Sequence, residues 1–250
     1  MKILQNLVQG ALLYLLLMLL GLMSLLWNVM ATLLDPLLSP KRGQAIGRAG
    51  IAHVYGKFWD IAQASGLLKV DSAALDGLRH EAAGLIIVAN HPSMLDALLI
   101  VAKLPRGVCV MKAELMRNIF LGAGARLARY IRNDSPRSMI RSAVANLREG
   151  AHLVLFPEGT RTVQHPINPF RPGMSLIAHL AQVPIQTVII ETDSPYLGKG
   201  WPIWRKPALP VVFRLRLGQR FAPEADHAAL LQRIERYFMT ELHASPRANP

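Results

Sequence analysis

The protein has 250 residues, 52% of them apolar, and 28 Lys and Arg against 16 Asp and Glu give it a formal charge of +12. That composition excludes intrinsic disorder, which needs low hydrophobicity, and the Gly and Pro lack the period of a collagen. The single cysteine, Cys109, excludes an intrachain disulfide framework, so the ordinary partners of such a basic, apolar chain are an anionic membrane or nucleic acid.

Ile3 to Leu34 carries no charged residue. A bilayer-spanning helix needs about 20 apolar residues, and a signal peptide only about 7–15 before a small-residue cleavage site. This run is too long for a signal peptide and shows no Ala-x-Ala site, which points to membrane association. Two arrangements remain open. One is a single tilted helix. The other is a re-entrant pair of short helices, bent near Gly21 or Asn28 and held in one leaflet. Lys41, Arg42, Arg48 and Lys57 follow the run and only Lys2 precedes it, so the body of the protein is expected on the cytoplasmic face. Residues 1–40 are read as a hydrophobic membrane anchor and 41–250 as the domain behind it. Ile51, Val54, Tyr55, Phe58, Ile61 and Ala62 then recur at helical spacing. They form either an interfacial helix on anionic headgroups or a helix packed on the domain core.

Leu85–Ala89 is a short, continuous apolar run, β-branched in its middle, as suits a strand buried on both faces. Val108–Met111, His152–Phe156 and Ile185–Ile190 are similar. Between them the clearest helix opens with Ser135 as N-cap and Pro136 at the first helical position, and ends at Gly150. Its Ile140, Ala143, Val144 and Leu147 share one face, while Arg137, Arg141 and Arg148 lie on another. Val211, Phe213, Leu215 and Leu217 alternate with Arg214 and Arg216, which predicts a later strand with one solvated face. Leu230, Leu231, Ile234, Tyr237 and Phe238 form the apolar face of a closing helix, and the tail after His243 is expected to be loose. Strands alternating with helices predict an α/β fold, a mainly parallel central sheet flanked by helices behind the N-terminal anchor. Such sheets bind ligands beyond the carboxyl ends of their strands.

Two strand ends carry polar residues. The first reads Asn90-His91-Pro92-Ser93-Met94-Leu95-Asp96. A helix starting near Pro92 or Ser93, with Ser93 as its cap, would return Asp96 toward the imidazole. A carboxylate on one ring nitrogen fixes the tautomer and leaves the other nitrogen as a base. A polar strand-to-helix turn with a satisfied histidine stays open beside that reading. The second end reads Phe156-Pro157-Glu158-Gly159-Thr160-Arg161, and Arg171 follows nearby. Glycine permits close backbone approach, and arginine matches phosphate oxygens bidentately.

Together, Asn-His-x-x-x-x-Asp and Phe-Pro-Glu-Gly-Thr-Arg resemble the paired motifs of the glycerolipid acyltransferases, best known from the lysophosphatidic acid (1-acylglycerol-3-phosphate) O-acyltransferases. Lys112-Ala113-Glu114-Leu115 and Val183-Pro184-Ile185 resemble further elements of that family, so the resemblance runs from about Leu85 to Ile190. It implies that 41–250 is an acyltransferase domain. It further implies transfer of a fatty acyl group from acyl-CoA or acyl-acyl-carrier-protein to the free hydroxyl of a lysophospholipid, with lysophosphatidic acid giving phosphatidic acid. His91 would be the general base, Asp96 its orienting partner, and no acyl-enzyme would form. Glu158, Gly159, Thr160, Arg161 and Arg171 would bind the acceptor, with Arg161 on its phosphate. The family's Phe-Ile-Asp-Arg block is replaced by Tyr130-Ile131-Arg132-Asn133-Asp134, where Arg132 comes one position early and is the substitute preferred over Arg129. This departure keeps a different acceptor, another lysophospholipid or an amino-acid lipid, as an alternative.

No metal is expected, for there is no His-Glu-x-x-His or Cys-x-x-Cys, and no cofactor beyond the acyl donor. Cys109 reads as a buried structural thiol, and the other histidines as surface or packing residues. Met116, Ile119, Phe120 and Leu121 are candidate walls for the acyl chain. Arg126, Arg129, Arg132, Arg137 and Arg141 form a basic stretch, but no nucleic-acid motif accompanies it and no nucleic-acid partner is expected. Ser194 to Pro207 places Trp201, Trp204, Arg205 and Lys206 among prolines and glycines, either at a membrane interface or with the rings packed inside.

Overall fold

A computed structural model describes residues 2–244; the tail expected to be loose lies outside them from residue 245 onward. Leu and Met are strong helix formers, and α1 runs unbroken from Lys2 to Leu34 through Gly21 and Asn28, the single helix of the two arrangements. A lone glycine does not end such a run. It ends where Asp35 and Pro36 enter a single 3-10 turn, Asp35–Leu37. Pro40 then occupies the first turn of α2, Pro40–Ala64, which begins well before the periodic residues from Ile51. Gly43, Gly47 and Gly50 interrupt the apolar period of that first half. They are there for close approach: a Cβ on Gly47 would lie 2.5 Å from the Ala128 backbone nitrogen, and one on Gly50 2.0 Å from the Trp27 ring.

The rest alternates as expected. In chain order come β1 (Leu68–Asp71), β2 (Leu85–Ala89), α3 (Asp96–Ala102), β3 (Gly107–Met111), α4 (Gly122–Leu127), β4 (Ile131–Arg132), α5 (Pro136–Arg148), β5 (His152–Leu155), α6 (Gly173–Ala181), β6 (Ile185–Thr192), β7 (Val211–Phe221) and α7 (His227–Ala244). Ser135 caps α5, its hydroxyl accepting from the Ser138 N–H at 3.4 Å. The strands form one sheet of order β1-β7-β6-β2-β5-β3-β4, parallel except for the β6–β7 pair. β1, β4, α4 and α6 carry little sequence signal. Two are strands of four and two residues, α4 holds two glycines, and α6 is apolar on nearly every side.

Every residue of β2 is buried. Ile87 and Ala89 join the core under α1, α2 and α3, with Phe58, Leu99 and Phe213. Ile86 and Val88 face the second core, with Leu147, Ile177 and Phe238 of α5, α6 and α7. Truncating a side chain such as Ile87 to alanine costs about 2–5 kcal/mol in such settings. β2 lies between β5 and β6, with Val88 opposite Leu155. His91 and the Pro157–Arg161 loop therefore leave neighbouring strands at the same edge.

α1 lies against the domain over most of its length. Leu13, Leu16, Ser24, Asn28 and Ala31 are buried, whereas Ile3, Leu4 and Leu7 are 79%, 68% and 67% exposed. Asn28 fastens the docked face: its side-chain oxygen accepts from the Ala123 and Gly124 N–H groups at 2.7 and 3.0 Å, satisfying the first turn of α4.

Candidate active site

The helix after His91 starts at Asp96, not at Pro92 or Ser93. Ser93 does not cap it. The Ser93 hydroxyl instead accepts from the Leu95 N–H and donates to the Tyr196 carbonyl, while Asp96 folds its own carboxylate back over the turn. His91 Nδ1 lies 3.0 Å from Asp96 Oδ2, and the same oxygen accepts from the Ser93 N–H at 2.7 Å. Asp96 is wholly buried and the His91 side chain is 18% exposed. Burial pushes the Asp96 carboxyl above its ordinary value; the bonds from His91 and Ser93 oppose this, and the Glu158 charge adds to it. A carboxylate at Nδ1 calls for the proton there, which leaves Nε2 as the basic nitrogen. The imidazole stacks on Phe156, with centroids 4.1 Å apart and planes inclined at 23°.

The backbone of His91 is gripped from both sides. Its N–H donates to Glu158 Oε1 at 2.9 Å, and its carbonyl accepts from the Thr162 N–H at 2.8 Å. Glu158 is 3% exposed. Its Oε1 also accepts from the Thr162 hydroxyl at 2.8 Å and its Oε2 from the Asn168 N–H at 2.8 Å. The carboxylate thus braces three chain segments. Asn90 locks the strand below, its amide exchanging bonds of 2.8 Å with both the N–H and the carbonyl of Ile190 on β6. Asn168 has no motif to mark it, and the Phe156 stacking is equally silent in sequence.

Gly159 has φ +70°, and a Cβ there would meet Arg171 Nε at 2.5 Å, so the guanidinium of Arg171 lies directly against this glycine. The Gly159 N–H closes a turn onto the Phe156 carbonyl at 3.0 Å. Thr160 accepts from Lys199 Nζ at 3.2 Å. Arg161 Nη1 holds the Leu197 and Gly198 carbonyls at 2.8 and 2.9 Å. His91, Asp96, Glu158, Gly159, Thr160, Arg161 and Arg171 are therefore brought together. Arg132 stands apart. It sits on β4, separated from β5 by β3, exposed and paired with Asp134.

Ser93 and Cys109 are not poised as nucleophiles. Ser93 is fully buried with its hydroxyl engaged, and burial in β3 raises the Cys109 thiol to about 12. Met116 is buried, while Ile119 and Phe120 lie exposed, Phe120 beside Gly21 of α1. Among the described residues, no three His, Cys, Asp or Glu converge as a metal site. The cavity of about 560 Å³ lined by Phe221, Arg233, Arg236 and Tyr237 lies away from the site. Phe221 pairs with Ile185, at the opposite end of β6.

Comparison with known proteins places this geometry in context. The acyltransferase family profile matches residues 73–191. The 1-acyl-sn-glycerol-3-phosphate acyltransferase of Cocos nucifera is 32% identical over 133 residues, covering 50% of this chain and 41% of its own. The alpha form from Mus musculus is 32% identical over 149 residues, covering 53% and 52%, and the human beta form 34% over 127 residues, covering 46% and 44%. The chain thus spans about half the length of the curated relatives it matches. The crystal structure of the 1-acyl-sn-glycerophosphate acyltransferase PlsC from Thermotoga maritima superposes with a TM-score of 0.66 over 97% of both chains, at 19% identity, and so shares the fold.

Proposed function

We propose that this chain, whose residues 73–191 belong to the acyltransferase family, moves a fatty acyl group from a thioester donor to the free hydroxyl of a lysophospholipid. The acceptor is 1-acyl-sn-glycerol-3-phosphate and the product phosphatidic acid. The donor is acyl-CoA or acyl-acyl-carrier-protein. The observation that carries this reading is the braced His91–Asp96 pair, with Ser93 and Cys109 both buried. His91 Nε2 takes the acceptor's hydroxyl proton as the oxygen attacks the thioester carbonyl. The tetrahedral intermediate collapses, the carbon–sulfur bond breaks, and the imidazolium returns the proton to the departing thiolate. An ester and a free thiol result, with no acyl-enzyme between them. Asp96 orients the ring and stabilises its charged form. Arg171 and Lys199, against Gly159 and Thr160, supply cations for the acceptor phosphate, with Arg161 behind them on the Leu197 and Gly198 carbonyls.

The anchor works in one leaflet. α1 would measure about 50 Å at 1.5 Å per residue, and contacts at Asn6, Tyr14, Ser24 and Asn28 hold it along the domain. A helix held in that way presents one apolar face to lipid. The domain stays on the side of Lys41 and Arg42, the cytoplasmic face.

A different lysolipid acceptor is the second reading, and the pairing of Arg132 with Asp134 in the altered block is what favours it. Vesicles carrying the protein should convert labelled lysophosphatidic acid to phosphatidic acid in preference to lysophosphatidylcholine or lysophosphatidylglycerol. A reversed preference would assign the second acceptor class.

A further inference from the structure

Residues 193–210 join β6 to β7 without helix or strand, and they touch both the site and α1. The first half is tied to the site. Ser93 Oγ donates to the Tyr196 carbonyl at 3.0 Å, the Met94 N–H to the Leu197 carbonyl at 3.0 Å, and Arg161 to the carbonyls of Leu197 and Gly198. The second half is tied to α1. Tyr14 OH donates to the Trp204 carbonyl at 2.5 Å, and Lys206 Nζ to the Asn6 carbonyl at 3.1 Å. Between these ties the loop folds on itself. Trp201 Nε1 donates to the Arg205 carbonyl at 3.0 Å, and the Arg205 guanidinium lies 4.6 Å from the centre of the Trp201 ring.

This bracing leaves two large apolar side chains facing outward, Ile203 at 55% and Trp204 at 77% exposure. Contiguous exposed apolar surface marks a partner or a membrane, and tryptophan flanked by cations is the composition of a membrane–water boundary. The tip is fastened to α1 beside Asn6 and Tyr14, the stretch where Ile3 and Leu7, at helical spacing from Tyr14, also stand exposed. Lys199, Arg205 and Lys206 border it, and the chain carries +12.

We propose that the Trp201–Lys206 tip is a second bilayer-contact element. Ile203 and Trp204 enter the boundary region of an anionic phospholipid leaflet, and Arg205 and Lys206 meet its headgroups. The proposal rests on the membrane reading of α1 given above. It adds a fixed link from the lipid surface to catalysis, because the same loop grips Met94 and Arg161. The leaflet contact then sets the height of the Glu158–Arg161 loop against the headgroups, where a lysolipid acceptor resides.

The test uses the full chain on vesicles of phosphatidylcholine and phosphatidylglycerol with acyl chains brominated near the headgroup end. Emission of the wild type minus that of Trp204→Phe isolates Trp204 from Trp27, Trp59 and Trp201. That component should be quenched by the brominated lipid and shifted to the blue. A component unaffected by bromine, on protein that co-sediments with the vesicles, overturns the proposal while leaving the α1 anchor standing. Failure to co-sediment removes the membrane reading itself, and the proposal with it. A second variant, Ile203→Ser with Trp204→Ser, should lose activity severalfold on acceptor embedded in vesicles and keep it on a short-chain, water-soluble acceptor. Equal loss on both would contradict a role in approaching the bilayer. A dimer in detergent that Trp204→Ser dissolves would assign the tip to a second copy and overturn the proposal.

Discussion

His91 is fixed through its backbone as much as through its ring. Glu158 and Thr162 take its N–H and carbonyl, Asp96 takes Nδ1, and Phe156 covers one face. Glu158 is thus a positioning residue in this geometry. Glu158→Gln should lower kcat by about 10–100-fold, the scale of one weakened charge-assisted bond at about 1.5–3 kcal/mol, with little change in the acceptor KM. A rise in KM alone, in steady-state kinetics, would make it an acceptor ligand instead. Asp96→Asn should cut activity by about 10²–10⁴-fold because the base loses its orienting partner. The same variant reads the buried carboxyl. Because burial raises the Asp96 value, its favourable contribution is complete below the unfolded value of about 3.9 and is lost as pH rises through the folded one. The unfolding free energy of the wild type relative to Asp96→Asn should therefore fall across that window in a denaturant series. A difference that grows with pH would contradict the burial argument. His91 and Asp96 were legible in sequence because a motif of fixed spacing names them. The partners of Glu158 were not, because Asn168 and Thr162 reach it only through the fold of their loop.

At the scale of elements, α4 shows how a weak helix is held. Its six residues include Gly122 and Gly124, and Asn28 of α1 supplies the cap that its own sequence lacks. Asn28→Ala should destabilise the protein by about 1–3 kcal/mol, a lost cap with buried donors left open, read as a lower midpoint of thermal unfolding in detergent. An unchanged midpoint would mean that water replaces the amide and that α1 docks without it. The same contact explains why α1 continues through Asn28 as one helix. The residue looks like a helix breaker in an apolar run, yet it points at another element. α2 teaches the converse, since its glycines look like loop and are docking sites for Trp27 and Ala128. The strands buried on both faces were plain in sequence, because a continuous β-branched run has few other uses, whereas β1 and β4 are too short to carry a period.

At the scale of the molecule, the parallel core of the sheet brings the ends of β2 and β5 to one edge, and the loops there are bound to one another and, through residues 193–210, to the N-terminal helix. The apolar helix, the loop tip and the His91–Asp96 pair thus form one connected unit. This arrangement suits a reaction between a lipid that stays in its leaflet and a donor that arrives from water. The alternating order of strands and helices was readable along the chain. The docking of α1 was not, because its apolar residues serve both the domain and the face left open. Direct transfer by the His91–Asp96 pair makes activity depend on the imidazole and not on the thiol. The decisive quantity is the rate of phosphatidic acid formation from labelled lysophosphatidic acid and a long-chain acyl thioester by purified wild type, His91→Ala and Cys109→Ala. The expected result is near wild-type product from Cys109→Ala and a loss of about 10²–10⁴-fold in His91→Ala. Full activity in His91→Ala, or its loss in Cys109→Ala with the fold intact, would contradict it.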